Sequence, residues 1–127
     1  PFALARLWWR GRAEPLYRRR MGERFGWYRE YRDSREAGRA PEKPLIWVHA
    51  VSVGEARASA PLVRALMQAL EGCEILVTCT TAAGRETLKA LHGESVRVAW
   101  LPWDLPGAVR RFLEHWRPRL GVLVETE

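Results

Sequence analysis

The stretch WVHAVSVGEARA, Trp47 to Ala58, decides how this chain folds. An unbroken apolar run from Leu45 to Val51 has the length and β-branched content of a buried strand. It ends in Ser52-Val53-Gly54-Glu55. From Glu55 to Leu70, apolar residues return at helical spacing (Ala58, Leu62, Ala65, Leu66, Ala69), with Glu71-Gly72 as the stop. A strand feeding a helix through so short a turn is the opening unit of a parallel sheet. Phosphate-binding turns of this kind carry glycines and basic groups. This one carries a carboxylate. Glu55 is either a plain first-turn acid favoured by the helix dipole or a catalytic base.

The same alternation continues downstream. Ile75 to Thr80 reads as a second strand and Gly84 to Leu91 as a short helix ended by His92-Gly93. Ser95 to Leu101 reads as a third strand. Pro106 to Trp116 reads as a third helix, with proline suited to its first turn. Pro118 stops that helix, and Leu120 to Val124 is a fourth apolar run. Pro61 argues for a first helix that starts later than Glu55, or for a kink. Thr80 or Thr81 is expected to cap the second helix and Asp104 the third. The order β-α-β-α-β-α-β with short links predicts an α/β fold, a Rossmann-like parallel sheet with helices on both faces.

Ligands of such sheets bind beyond the carboxyl ends of the strands, where the strand order reverses. In the usual order 3-2-1-4, the first and fourth strands are neighbours. Glu55 follows the first and Glu125 ends the fourth, so this topology brings two carboxylates to one crevice. Such a pair suits proton transfer from a hydroxyl. Alternatively, Glu55 is only a helix-start acid and Glu125 a solvated loop residue.

Other signals narrow the chemistry. The first turn has one glycine, so neither GxGxxG nor a P-loop is present. The second turn, Thr78 to Gly84, is rich in hydroxyls and suits sugar hydroxyls or phosphate, or simply caps a helix. His49 lies within the first strand and reads as a core histidine; His92 and His115 read as helix-end residues. No HxxxH or Cys/His cluster exists, so no metal site is expected. Cys73 and Cys79 form no zinc or redox motif and read as reduced thiols, buried or nearly so. Trp100 and Trp103 are expected either in the core or lining an apolar acceptor groove.

Charge divides the 127 residues into two parts. Residues 1–40 hold eleven Arg against five acids, and residues 41–127 hold ten basic against ten acidic groups. Pro41 and Pro44 mark the boundary between a basic, aromatic-rich segment (1–40) and the α/β domain (41–127). No run is long enough to span a membrane, although Phe2 to Trp9 followed by Arg10 and Arg12 fits the end of an anchor. A solvated arm and a nucleic-acid arm are the alternatives, and no nucleic-acid reading motif accompanies the segment. The chain does not begin with Met and stops at Val124-Glu125-Thr126-Glu127 without a cap or turn signal, so it reads as a piece of a longer protein.

WVHAVSVGEARASAPLV, TCTTAAGRETL and WLPWDLPGAVRRFLEHWRPRLGVLVETE together resemble the lipid A Kdo transferase family (Kdo, 3-deoxy-D-manno-octulosonic acid). RLWWRGRAEPLYRRRMGERFG is similar to that family's juxtamembrane segment. The resemblance implies the N-terminal half of a GT-B-type glycosyltransferase, truncated. It implies transfer of Kdo from CMP-Kdo to a lipid A precursor (lipid IVA), with inversion, at the cytoplasmic face of the bacterial inner membrane. No separate cofactor and no nucleic acid are implied. By resemblance, Glu55 is the general base and Glu125 helps organise the site. Ser52, Gly54, Thr81 and Gly84 match acceptor-side loops. Arg18, Arg19 and Arg20 fit contacts to an anionic membrane and to phosphates. Most CMP-Kdo contacts are expected from a C-terminal domain, so these residues alone are expected to be inactive. The chain departs from the family where Ala82-Ala83 replace Pro-Thr, Trp100 and Trp103 stand where Tyr is common, and Val124 replaces Met. Without the resemblance, a nucleotide-cofactor domain or a basic membrane-binding adaptor are the rival readings.

Overall fold

The computed structural model describes residues 21–28 and 43–125. Four parallel strands form one sheet: β1 (Leu45–Ala50), β2 (Glu74–Cys79), β3 (Arg97–Trp100) and β4 (Pro118–Val124). Three helices connect them: α1 (Val53–Ala69), α2 (Ala82–His92) and α3 (Pro106–Trp116). The strand order is β3-β2-β1-β4, the expected one. The fold is α/β and Rossmann-like.

The reversal of strand order explains the layering. The chain steps outward from β1 to β3, then returns past β2 and β1 to place β4. Crossovers keep one hand, so the helix of the return step must lie on the opposite face. Accordingly, Ala56 and Val63 of α1 and Ala82 and Leu88 of α2 pack with Val48, Ala50, Ile75, Val77, Cys79 and Val98. Phe112 and Trp116 of α3 pack with Leu45, Leu76 and Ala99 on the other face. The central strands are buried on both sides, which is why they read as unbroken apolar runs rather than alternating ones.

Several element limits differ from expectation. The later start of α1 is overturned: the helix begins at Val53, ahead of Glu55, because Ser52 takes the cap position and Ala56 N–H reaches Ser52 O at 2.8 Å. Pro61 is accommodated inside the helix on its exposed side. Thr81, not Thr80, caps α2, its hydroxyl accepting from Gly84 N–H at 3.0 Å. Asp104 does not cap α3. Pro106 at the first helical position forces extended backbone on Leu105 (φ −121°, ψ 132°), and that residue becomes the cap. Pro118 opens β4 directly, a strand position that needs no N–H from it.

Residues 21–28, from the basic segment, close the outer edge of β3. A 3-10 turn (Met21–Phe25) sets the buried Glu23 carboxylate 2.8 Å from Trp100 N–H. Tyr28 donates its hydroxyl to Trp100 O at 3.1 Å. Both backbone groups of this edge residue are thereby satisfied by side chains. Glu23 also pairs with buried Arg85 of α2 at 3.1 Å. Gly26, at φ +84°, lets the chain run against α3, where an added Cβ would meet Ala108 O and Arg111 Cβ at 2.7 Å. Among the described residues, no helix is long and apolar enough to cross a membrane. Cys79 is buried, which pushes its thiol up to about 12, and Cys73 is partly buried; neither is in a disulfide.

Two histidines sit in this core, His49 on β1 and His92 at the end of α2. Burial holds both below their ordinary 6.5. At His49 a Thr78 backbone contact opposes the shift, Arg24 adds to it and Glu125 opposes it; at His92, Arg64 adds to it. Protons therefore bind the unfolded chain more readily, and the stability tied to both rings is complete above 6.5 and lost below it. Urea midpoints should fall between about pH 7.5 and about pH 5.5. His49→Gln combined with His92→Gln should flatten that fall. An unchanged slope in the double variant would contradict the assignment.

Candidate active site

The carboxyl ends of β1, β2 and β4 meet at one edge. Val124 pairs with Ala50, so Glu125 leaves β4 beside the point where β1 turns into α1. The first two turns are tied together. Thr80 N–H and Thr80 Oγ1 both donate to Val51 O, at 3.1 and 2.9 Å. Gly84 sits where the start of α2 approaches Ser52. A Cβ there would lie 2.8 Å from Thr81 Oγ1 and 3.3 Å from the Ser52 carbonyl carbon.

Glu55, in the first turn of α1, folds back on the turn that precedes it. Its Oε2 accepts from Ser52 N–H at 3.2 Å and from the Ser52 hydroxyl. This is the return half of a capping box. Helix-start acid and candidate base are thus one geometry: the cap contacts fix a half-buried carboxylate at the edge where ligands of this fold bind. Gly54 is exposed, and a Cβ there would meet nothing within 4 Å, so packing does not demand glycine at that position.

Ser52, Glu55, Thr81 and Gly84 therefore lie in one interlocked pair of turns, with Gly54 on its open side. Glu125 stands exposed on the same edge one strand away. Arg18, Arg19 and Arg20 lie outside the described residues. Trp100 is core at 1% exposure, and Trp103 is only partly buried.

Arg24 is a residue that pattern reading missed. Its guanidinium lies over Trp100 (4.4 Å) and Trp103 (5.5 Å), and it donates to Thr80 O at 2.7 Å. It thereby braces the second turn from the side of β3. No sequence signal separates it from the ten other arginines of residues 1–40.

Gly84→Ala should loosen both turns at once, because the new methyl must displace the Thr81 cap or Ser52. Cap loss costs about 0.5–2 kcal/mol, to be read as a lowered denaturation midpoint. Full wild-type stability would show that the turns do not interlock as described.

The fold and this edge define a Rossmann-like domain with a carboxylate, instead of a glycine-rich phosphate turn, at its first strand-to-helix junction. The profile of the family described as 3-deoxy-D-manno-octulosonic-acid transferase (kdotransferase) matches residues 19–127, and the chain belongs to that family. A relative named 3-deoxy-D-manno-octulosonic acid transferase from Bordetella pertussis is 45% identical, the match covering 86% of this chain and 27% of the relative. Its namesake from Haemophilus influenzae is 40% identical over 89% of this chain and 25% of its own. That from Rickettsia felis is 34% identical over 67% and 18%. The chain thus spans about a quarter of the length of the first two relatives. No solved structure matches it.

Proposed function

We propose that this chain is the acceptor-binding N-terminal domain of a GT-B-type glycosyltransferase that moves Kdo from CMP-Kdo to a lipid A precursor. The transfer takes place at the cytoplasmic face of the inner membrane, in lipopolysaccharide synthesis. The observation that carries the reading is the Glu55 carboxylate held by Ser52 at the carboxyl edge of the sheet. The family membership and the names of the relatives support it.

In this reading a primary hydroxyl of the acceptor lies over the first turn. Its oxygen attacks the anomeric carbon of Kdo from the face opposite CMP, and Glu55 takes the hydroxyl proton. The bond from the anomeric carbon to the phosphate oxygen breaks, CMP leaves with the electron pair, and the configuration inverts. Proton acceptor, nucleophile and leaving group are all accounted for, so the step calls for no resident cofactor or metal. Thr81 and Ser52 border the acceptor, and the open space at Gly54 admits its backbone-level approach. Glu125 helps organise the site, while Arg18, Arg19 and Arg20 contact lipid phosphates and the anionic surface.

The test is an assay of the full-length enzyme with CMP-Kdo and lipid IVA, run beside this chain alone. Transfer is expected from the former and none from the latter, which spans about a quarter of the length of its relatives. Transfer by the chain alone would overturn the division of labour. No transfer by the full-length enzyme, with NAD(P)H binding in its place, would overturn the function.

A further inference from the structure

Beneath the edge, on the α3 face of the sheet, lies a polar chain that the mechanism above does not use. Trp47 Nε1–H donates to Thr78 Oγ1 at 2.7 Å, and Thr78 Oγ1 lies 2.9 Å from His49 Nδ1. Thr78 is fully buried and His49 is 7% exposed. The chain is rigidly seated. Gly121, the cross-strand partner of Trp47, leaves room for the indole, since a Cβ there would sit 3.0 Å from Trp47 Cε3. Phe112 of α3 closes the other side, its ring 4.9 Å from that of Trp47.

An indole nitrogen only donates, so Thr78 Oγ1 must accept from Trp47. The Thr78 hydroxyl proton then needs an acceptor of its own in a buried site, and Nδ1 of His49 lies at hydrogen-bond distance. With the Thr78 hydroxyl donating to Nδ1, that nitrogen is unprotonated and Nε2 carries the hydrogen. Position supplies the second half. β1 lies between β2 and β4, and His49 is paired with Thr78 on one side and Leu123 on the other. Tying Nδ1 to Thr78 turns Nε2 away from β2. Glu125 is two residues beyond Leu123, just past the end of β4 and diagonal to His49. Long side chains at such positions can meet across a sheet. Among the described residues, Arg24 and Glu125 are the charged groups that act on the ring.

We propose that His49 is a positioning residue for Glu125: the Trp47–Thr78–His49 chain fixes the imidazole as the neutral Nε2–H form and aims that N–H at the Glu125 carboxylate. The inference rests on Glu125 belonging to the site, but the relay itself is testable apart from any transfer activity. The ring stays a donor only while one tautomer is enforced, and the buried threonine enforces it.

The first measurement is ring-nitrogen NMR of the full chain, with no substrate. The expected result is a pyridine-like Nδ1 and a pyrrole-like Nε2 for His49. Thr78→Ser should keep this signature, and Thr78→Val should lose it. Glu125→Gln should shift the Nε2 resonance and leave Nδ1 in place. A protonated Nδ1, or averaged tautomers in the wild type, overturns the relay. An Nε2 that ignores Glu125→Gln overturns the positioning role. The second measurement is transfer by the full-length enzyme. His49→Gln, whose amide nitrogen replaces Nε2–H, should stay within about threefold of wild type, whereas His49→Asn should lose about tenfold in kcat, one hydrogen bond's worth. Equal rates for the two variants also overturn the role. If the wild-type enzyme transfers no Kdo at all, the transferase reading fails, while the NMR result still decides the relay.

Discussion

On the proposed reading, replacing Glu55 with Gln in the full-length enzyme should lower kcat for Kdo transfer by about 10²–10⁴-fold, the usual contribution of a positioned general base. Gln has nearly the same shape, and its amide oxygen can still accept from Ser52 N–H, now 3.2 Å from Glu55 Oε2. The cap therefore survives, and KM for the acceptor should change little. The amide cannot accept the hydroxyl proton, so the loss falls on the chemical step. A purely structural Glu55 gives the opposite outcome. Loss of its charge near a helix N-terminus then costs about 0.3–1 kcal/mol of stability, and the rate stays near normal. Steady-state kinetics with a parallel thermal melt separate the two. A kcat within about threefold of wild type would remove Glu55 as the base.

Glu23→Ala should destabilise the fold by about 3–5 kcal/mol, as when one partner of a buried ion pair is removed. The side chains of Arg85 and Glu23 are 8% and 4% exposed, so water cannot replace the lost partner. The Trp100 N–H at 2.8 Å loses its acceptor in the same substitution. Among the described residues, Arg85 keeps a long contact to Val98 O at 3.4 Å and the Trp100 ring at 5.1 Å. Against a total stability of about 5–15 kcal/mol, this is a large share of what holds the domain folded. Glu23→Leu combined with Arg85→Met should recover most of the loss, because no charge is then stranded. Guanidinium denaturation of the three variants tests this. A single-variant loss below about 1 kcal/mol would show that the pair is not buried as described.

The layout of the domain was legible because it depends on local periodicity. Runs such as Leu45–Val51 and Ile75–Thr80 announce strands covered on both faces, and short links leave few topologies. The meeting of β1 and β4 followed only from taking the usual strand order 3-2-1-4 of such sheets, which the structure has. Limits set by local sterics were partly misjudged. Asp104 is the better capping side chain, yet Pro106 restricts only the residue before it, and that residue is Leu105. Pro61 looked like a boundary, but the cap at Ser52 starts the helix upstream of it.

The edge clasp and the buried relay were not legible. Glu23 and Arg24 sit among alternating acids and arginines that read as a solvated or membrane-facing arm. Their partners, Arg85, Trp100 and Thr80, are 56 to 77 positions away. Thr78 carries no sequence mark that sets it apart from the hydroxyls after it. The sequence by itself determined the period of each element, the absence of a nucleotide-binding glycine pattern and the presence of one carboxylate at each of two strand ends. Those are properties of neighbours along the chain. Only the tertiary structure decided that Glu55 closes onto Ser52 against the second turn, that residues 21–28 seal β3, and that His49 is held through Thr78. Those are choices of distant partners, made by which buried polar groups must be satisfied once the sheet is assembled.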